Sequence, residues 1–219
     1  MKNVAVVARK GGSGKTTVAV NLAVAAHRRG YAVRLADTDP QGSASESLRV
    51  RKVPGPEVLH LSGGEFFELQ KSEGAPPFDV TLLDTPAASE DAIGHAIAVA
   101  HLSLLIVRPT FLDLAAALQT AQILRRLRKP GLIVLNQAPP PRGGIEPPAV
   151  KRAQEALRLM QLPVAPVVLR ARAAYQTTLA SGQSVEEAGR GDPAAEEIGG
   201  LWSYIERFAL GARSATAVA

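Results

Sequence analysis

The sequence predicts an α/β fold: a mostly parallel, twisted sheet with helices on both faces. Three observations carry this. Strand-like and helix-like segments alternate along all 219 residues. The strand-like segments are continuous apolar runs, as expected of parallel strands buried on both faces. The first of them, "KNVAVVA" (2–8), leads directly into "RKGGSGKTT" and then a helical pattern. Strand, glycine-rich loop and helix in that order form a phosphate-binding unit.

The elements follow from local chemistry. Residues 2–8 are short, apolar and β-branched, and glycines end the run. "KTTVAVNLAVAAHRRG" (15–30) has apolar residues at helical spacing, cations in its last turn and Gly30 as a stop. Strands are expected at 31–37, 57–62, 78–84, 102–109, 131–137 and 163–169. Helices are expected at 64–72, 90–100, 112–129, 148–161, 173–181 and 193–209, with "APPPRGG" (138–144) as a loop. Trp202, Tyr204, Ile205 and Phe208 recur at near-helical spacing and read as core. No linker separates domains, so residues 1–210 are expected to form one unit, followed by a frayed tail of small residues at 211–219.

Composition narrows the function classes. Hydrophobic residues make up 46% and charged residues 21%, typical of a globular chain. There are no cysteines, which excludes disulfides, thiolate metal sites and cysteine-held iron–sulfur clusters. No apolar run is long enough to span a bilayer and no secretory pattern opens the chain, so a cytoplasmic protein is expected. The net charge of +5 permits contact with nucleic acid. Aromatic residues are only 4%, which disfavours recognition of single strands by base stacking. His27, His60, His95 and His101 have no metal-ligand spacing.

The chemistry concentrates at strand ends. In the first loop Gly11, Gly12 and Gly14 let backbone N–H groups wrap a polyphosphate, and the helix N-terminus adds partial positive charge. Lys15 suits the β- and γ-phosphates, and the Thr16 hydroxyl suits Mg²⁺. Ser13 and Thr17 complete the loop. The ordinary pattern is G-x-x-x-x-G-K-[ST]. Here Arg9 replaces its first glycine and a second lysine, Lys10, is added. The second strand ends in "ADTDPQGS", with Asp37 and Asp39 two apart. They either face a bound nucleotide and its metal or cap the next helix. In "VTLLDTP" a mostly apolar strand ends in Asp84, which suits a Mg²⁺-holding acid. Asn136 ends another strand, as an adenine contact or a loop cap.

"KGGSGKTT", "DTDPQGS", "LLDTP" and "VRPTFLDLAAA" together closely resemble the ParA/MinD group of deviant-Walker ATPases, which implies the phosphate-loop NTPase fold. "VRPTFLDLAAA" and "RAAYQTTLASGQSVEEAG" look most like the short ParA type, of which ParF is the named example. The resemblance runs from residue 2 to about residue 208. It implies ATP and Mg²⁺ as ligands and a homodimer with ATP sandwiched between subunits. It implies that Lys10 crosses to the partner's nucleotide, although Lys10 could instead serve its own subunit. It gives Asp39 the hydrolytic role, with Lys10 and Lys15, and puts Thr16, Asp39 and Asp84 around the metal. It places DNA-binding arginines near Arg170 and Arg172. A ParB/ParG-like centromere-binding partner would stimulate slow hydrolysis, and the chain would associate with the nucleoid. The sequence departs from the group at "DTPAA", where "DTPPG" is common, and at Arg9, where Gln or Pro is common.

Other readings share the same engine. A MinD-like membrane switch would need an amphipathic C-terminal helix, and "LGARSATAVA" does not supply one. A nitrogenase-reductase relative would need cysteines, and Lys10 disfavours a biotin-pathway ligase. A ParA-like protein that positions another cargo has the same motifs. The loop begins within the first dozen residues, so no preceding helix-turn-helix domain and no operator binding are expected.

Overall fold

The computed structural model describes residues 2–72, 78–87, 90–189 and 191–210. Six strands form one sheet: β1 (Lys2–Val7), β2 (Val33–Asp37), β3 (Glu57–His60), β4 (Val80–Asp84), β5 (Leu102–Val107) and β6 (Gly131–Leu135). Their order is β3-β2-β4-β1-β5-β6, and every neighbouring pair is parallel.

The apolar runs bury both faces because successive side chains point to opposite sides. Val4 and Val6 of β1, Leu104 and Ile106 of β5 and Leu132 and Val134 of β6 join one core. Ala5, Val7, Leu105, Val107, Ile133 and Leu135 join the other. The first core is covered by α1 (Lys15–Arg28), α2 (Ser43–Arg49), α7 (Ala173–Ala180), α8 (Val185–Ala188) and α9 (Pro193–Ile205). The second is covered by α3 (Gly63–Ser72), α4 (Glu90–Val99), α5 (Phe111–Arg126) and α6 (Pro148–Arg158). Nearly the whole of α1 is buried, from Val18 to Ala26, which fixes the loop before it against the sheet.

Three expectations need correction. The segment at 163–169 is not a strand: it meets β6 at one isolated bridge, Val164 to Ile133, and again where Leu169 N donates to the Leu135 carbonyl. Pro163 and Pro166 have no N–H to give to a ladder. Second, α2 and α8 did not stand out as helices. In "SASESLR" only Ala44 and Leu48 are buried, too few to make an apolar period. α8 is a single turn held by a capping box between Ser184 and Glu187, a pattern the letters "SVEE" do carry. Third, Trp202 and Ile205 are core, but Phe208 is 43% exposed and stacks on Tyr204 within a π-helical turn, Glu206–Leu210. The tail expected at 211–219 lies outside the described residues.

Candidate functional site

Strand order gathers the chemistry. β1 sits between β4 and β5, and β2 lies on the far side of β4. Register places Val6 opposite Asp84 and Asp84 opposite Asp37. The carboxyl ends of β1, β4 and β2 are therefore level, so the loop after β1 faces the acids of two other strands. This edge is where open α/β sheets bind ligands.

The loop is held in shape from one side. Asn136 Nδ2 donates to the Ser13 carbonyl at 2.7 Å, and Gln137 Nε2 donates to the Gly12 carbonyl at 2.9 Å. Gly14 has φ 90°, and a Cβ there would stand 2.4 Å from Asn136 Nδ2, so only glycine fits. With these carbonyls occupied, the loop N–H groups are what remain for an anion. No side chain caps α1, whereas Thr110 caps α5 and Asp192 caps α9. The leading N–H groups of α1 are thus left for a ligand.

Two cavities meet at Gly14. One, about 380 Å³, is lined by Gly11, Gly12, Gly14, Lys15, Thr16, Asp39, Gln41, Pro86 and Ala87. The other, about 430 Å³, is lined on one wall by Gly14, Thr17, Asn136 and Gln137, and on the other by the segment from Arg170 to Gln176. The first has the size and charge for a polyphosphate and the second has room for a nucleoside. A nucleotide laid across both would put its terminal phosphate at the Gly11–Gly12 end.

Two charged groups at this edge are buried, Lys15 and Asp84. Lys15 is only 7% exposed and forms no ion pair among the described residues. Burial lowers its pKa, and the carboxylates of Asp84 and Asp39 pull it back up. Asp84 is fully buried, and neither of its oxygens completes a hydrogen bond. Burial pushes its pKa up to about 7, the Thr16 hydroxyl beside it pulls it down, and Asp37 adds a further rise. A buried carboxylate with two unsatisfied oxygens is costly unless a cation joins it. Asp84, Thr16 and Asp39 present the hard oxygen donors that Mg²⁺ prefers, so the residues fit that ion.

The two acids of "DTDPQGS" have separate tasks. Asp37 accepts from Asp39 N at 3.2 Å and from Ser45 N at 2.9 Å, so it is the acid that caps the next helix. Asp39 accepts from Gln41 N at 3.0 Å, and its carbonyl lies 3.1 Å from His60 Nε2. It lines the phosphate cavity.

Lys10 is half-buried and makes no hydrogen bond or ion pair among the described residues. Arg9 turns the other way and donates to Gln119 Oε1 at 2.7 Å. Arg170 and Arg172 are both engaged. Arg170 forms a two-pronged pair with Glu146 at 2.7 and 2.8 Å and also donates to the Pro139 carbonyl. Arg172 pairs with Glu197 at 2.7 Å. Both therefore frame the nucleoside-sized cavity with their charge matched. Of "DTPAA", Pro86 and Ala87 line the phosphate cavity, and Ala88 lies outside the described residues.

Several site residues gave no warning in the sequence. Gln137 follows Asn136 and reaches the loop from a left-handed backbone, φ 51°. His60 meets the Asp39 loop only because β3 pairs with β2. Glu146 and Glu197 act through tertiary contacts that no local pattern encodes.

Fold and site together define a nucleotide-binding α/β protein of the phosphate-loop type. The chain belongs to the CbiA family, described as the CobQ/CobB/MinD/ParA nucleotide binding domain, which matches residues 4–188. It is similar to the maintenance of carboxysome distribution protein A of Halothiobacillus neapolitanus, 34% identical over 211 residues, covering 92% of this chain and 94% of that protein. It is also similar to the chromosome-partitioning ATPase Soj of Thermus thermophilus, 47% identical over 68 residues, 31% of this chain and 26% of that one. In fold it matches the septum site-determining protein MinD complexed with Mg-ADP from Pyrococcus horikoshii, with a TM-score of 0.77, 20% identity, and coverage of 94% and 96%. That identity speaks for the fold alone. Membership in the ParA/MinD family agrees with the resemblance, while the relatives divide between cargoes. No helix among the described residues is long and apolar enough to cross a membrane.

Proposed function

We propose that the protein is a ParA-type ATPase that positions an intracellular cargo on the nucleoid. It binds ATP with Mg²⁺, closes as a homodimer around two ATP molecules, holds DNA without sequence preference, and lets go on hydrolysis. A ParB/ParG-like cargo- or centromere-binding protein stimulates that slow step. Residues 1–210 act as one ATPase unit. The observation that supports this most is Lys15, buried and without an ion pair among the described residues, lining one cavity with Thr16 and Asp39 while the buried Asp84 carboxyl lies close enough to act on its charge.

Each residue has a task in this reading. The N–H groups of Gly11 to Thr17 cradle the phosphates, and Lys15 neutralises them. Thr16 and Asp84 hold Mg²⁺, which when bound offsets charge on the β- and γ-phosphate oxygens. Asp39, at the rim of the phosphate cavity, orients the attacking water. Lys10, with no hydrogen bond or ion pair among the described residues, reaches the nucleotide of the other subunit. Asn136 supports the loop and borders the base. For DNA, exposed cations that form no salt bridge among the described residues are the ready contacts: Arg142, Lys151, Arg152 and Arg158 on α6 and the loop before it. Arg170 and Arg172 join them only by exchanging Glu146 and Glu197 for phosphate.

The cargo is plasmid or chromosomal DNA in the first reading. A protein cluster is the second, favoured by similarity along nearly the whole chain to a carboxysome-distribution protein. Asp39→Ala tests the shared engine: ATP should bind with little change while phosphate release stops. Turnover at the wild-type rate would reduce Asp39 to a turn residue and remove the proposed mechanism.

A further inference from the structure

Arg108 follows β5, and its guanidinium is gripped from one side. Nε donates to Asp113 Oδ1 at 2.9 Å and Nη2 to Oδ2 at 3.2 Å. Asp113 is itself only 5% exposed and takes a further bond of 2.5 Å from the Thr110 hydroxyl. Thr110 caps α5 by accepting from Asp113 N. The carboxylate is therefore fixed by the helix start, and it fixes the plane of the guanidinium.

That grip leaves Nη1. It points at the phosphate loop: a Cβ built on Gly12 would stand 3.7 Å from it. Gly12 belongs to the end of the loop away from Gly14 and Thr17, which border the nucleoside-sized cavity. A nucleoside triphosphate lying across the two cavities, its base beside Asn136, would bring its third phosphate nearest the Gly12 end. An acid in the first turn of α5 is already favoured by the helix dipole and needs no arginine to settle it. The aim of Nη1 at the loop is the feature that a purely structural pair does not require.

We propose that Arg108 binds the terminal phosphate of a nucleoside triphosphate and so discriminates triphosphate from diphosphate. This rests on the reading of the site as a nucleotide site, and it adds a third cation to Lys10 and Lys15. Arg108 serves the nucleotide of its own subunit, because the loop it faces is its own. Asp113 and Thr110 are positioning residues, since they touch the guanidinium and not the phosphate.

The test is titration of the protein, at concentrations where sedimentation shows a monomer, with ADP and with a non-hydrolysable ATP analogue, both with Mg²⁺. Arg108→Gln should weaken the analogue about 10- to 100-fold, the worth of a charge-assisted hydrogen bond, and leave ADP within about twofold. Arg108→Lys keeps a charge beside Asp113 but loses the fork, and should fall between wild type and Arg108→Gln for the analogue alone. Equal losses for both nucleotides, or no loss for either, would overturn the proposal while leaving the nucleotide site intact. If the wild type binds neither nucleotide, the reading of the site fails, and this proposal with it.

Discussion

Asn136 donates its side-chain amide to the carbonyl of Ser13 at 2.7 Å, across 123 positions of sequence. The end of β6 thereby sets the shape of the loop after β1, although four strands, β2 to β5, come between them in the chain. The bond is buried, and its loss would leave the Ser13 carbonyl without a partner. Asn136→Ala should therefore weaken ATP binding roughly tenfold or more and lower the melting temperature slightly, both read by calorimetry. Unchanged affinity would mean that the loop holds its shape without the clamp. Gln137→Ala should act in the same direction and more weakly, because its bond to the Gly12 carbonyl is exposed.

Asp84 predicts a pH dependence with a definite sign. Its folded pKa is raised from 3.8 to about 7, so the folded state holds the proton more tightly than the unfolded chain does. Stability linked to this group is fully present below the unfolded value and is lost as pH rises through about 7. Nucleotide-free protein should melt lower at pH 8 than at pH 5 for this reason. Asp84→Asn should raise the melting temperature at pH 8, by about 2–4 °C for each kcal/mol recovered, and change it little at pH 4. Mg²⁺ with ATP should stabilise the wild type and help the variant much less. Differential scanning fluorimetry across the pH range checks all three statements. A variant that is less stable than wild type at pH 8 would show that the carboxylate is satisfied within the chain.

DNA binding should need ATP, ignore sequence and weaken with salt. Each phosphate neutralised contributes a slope of about −0.9 in log K against log salt. Lys151→Glu with Arg152→Glu should weaken all duplex sequences alike and flatten that slope by about two. Arg172→Glu should do less to the slope, because Arg172 is already paired with Glu197. A filter-binding series over salt separates these outcomes, and a sharp preference for one sequence would contradict them.

The parallel sheet and the phosphate loop were legible because each rests on a local cause: buried apolar runs, glycines at a strand end and a lysine before Thr16. Asp84 was legible for the same reason, as an acid closing an apolar run. The roles of Asp37 and Asp39 were not separable in the letters, since both stand at one strand end. Only the position of Ser45 over Asp37 assigns the capping to Asp37. The surroundings of Arg170 and Arg172 were invisible, because their partners Glu146 and Glu197 are 24 and 25 residues away. The run at 163–169 has the apolar character of a strand. Its prolines, visible in the sequence, were the better guide.

In the proposed dimer, Lys10 completes the site of a second subunit. Lys15 lines the phosphate cavity of its own chain, and Lys10 stands beside the same loop with no hydrogen bond or ion pair among the described residues. A face-to-face dimer is symmetric, so each Lys10 would reach the other nucleotide. The most direct measurement is sedimentation of the Asp39→Ala protein with ATP, with and without the added Lys10→Ala change, alongside hydrolysis by the Lys10→Ala single variant. The expected results are a dimer for Asp39→Ala, a monomer of near-normal ATP affinity when Lys10 is also removed, and loss of most hydrolysis in the single variant. A dimer that survives without Lys10, with hydrolysis intact, would contradict it and confine the second lysine to its own chain.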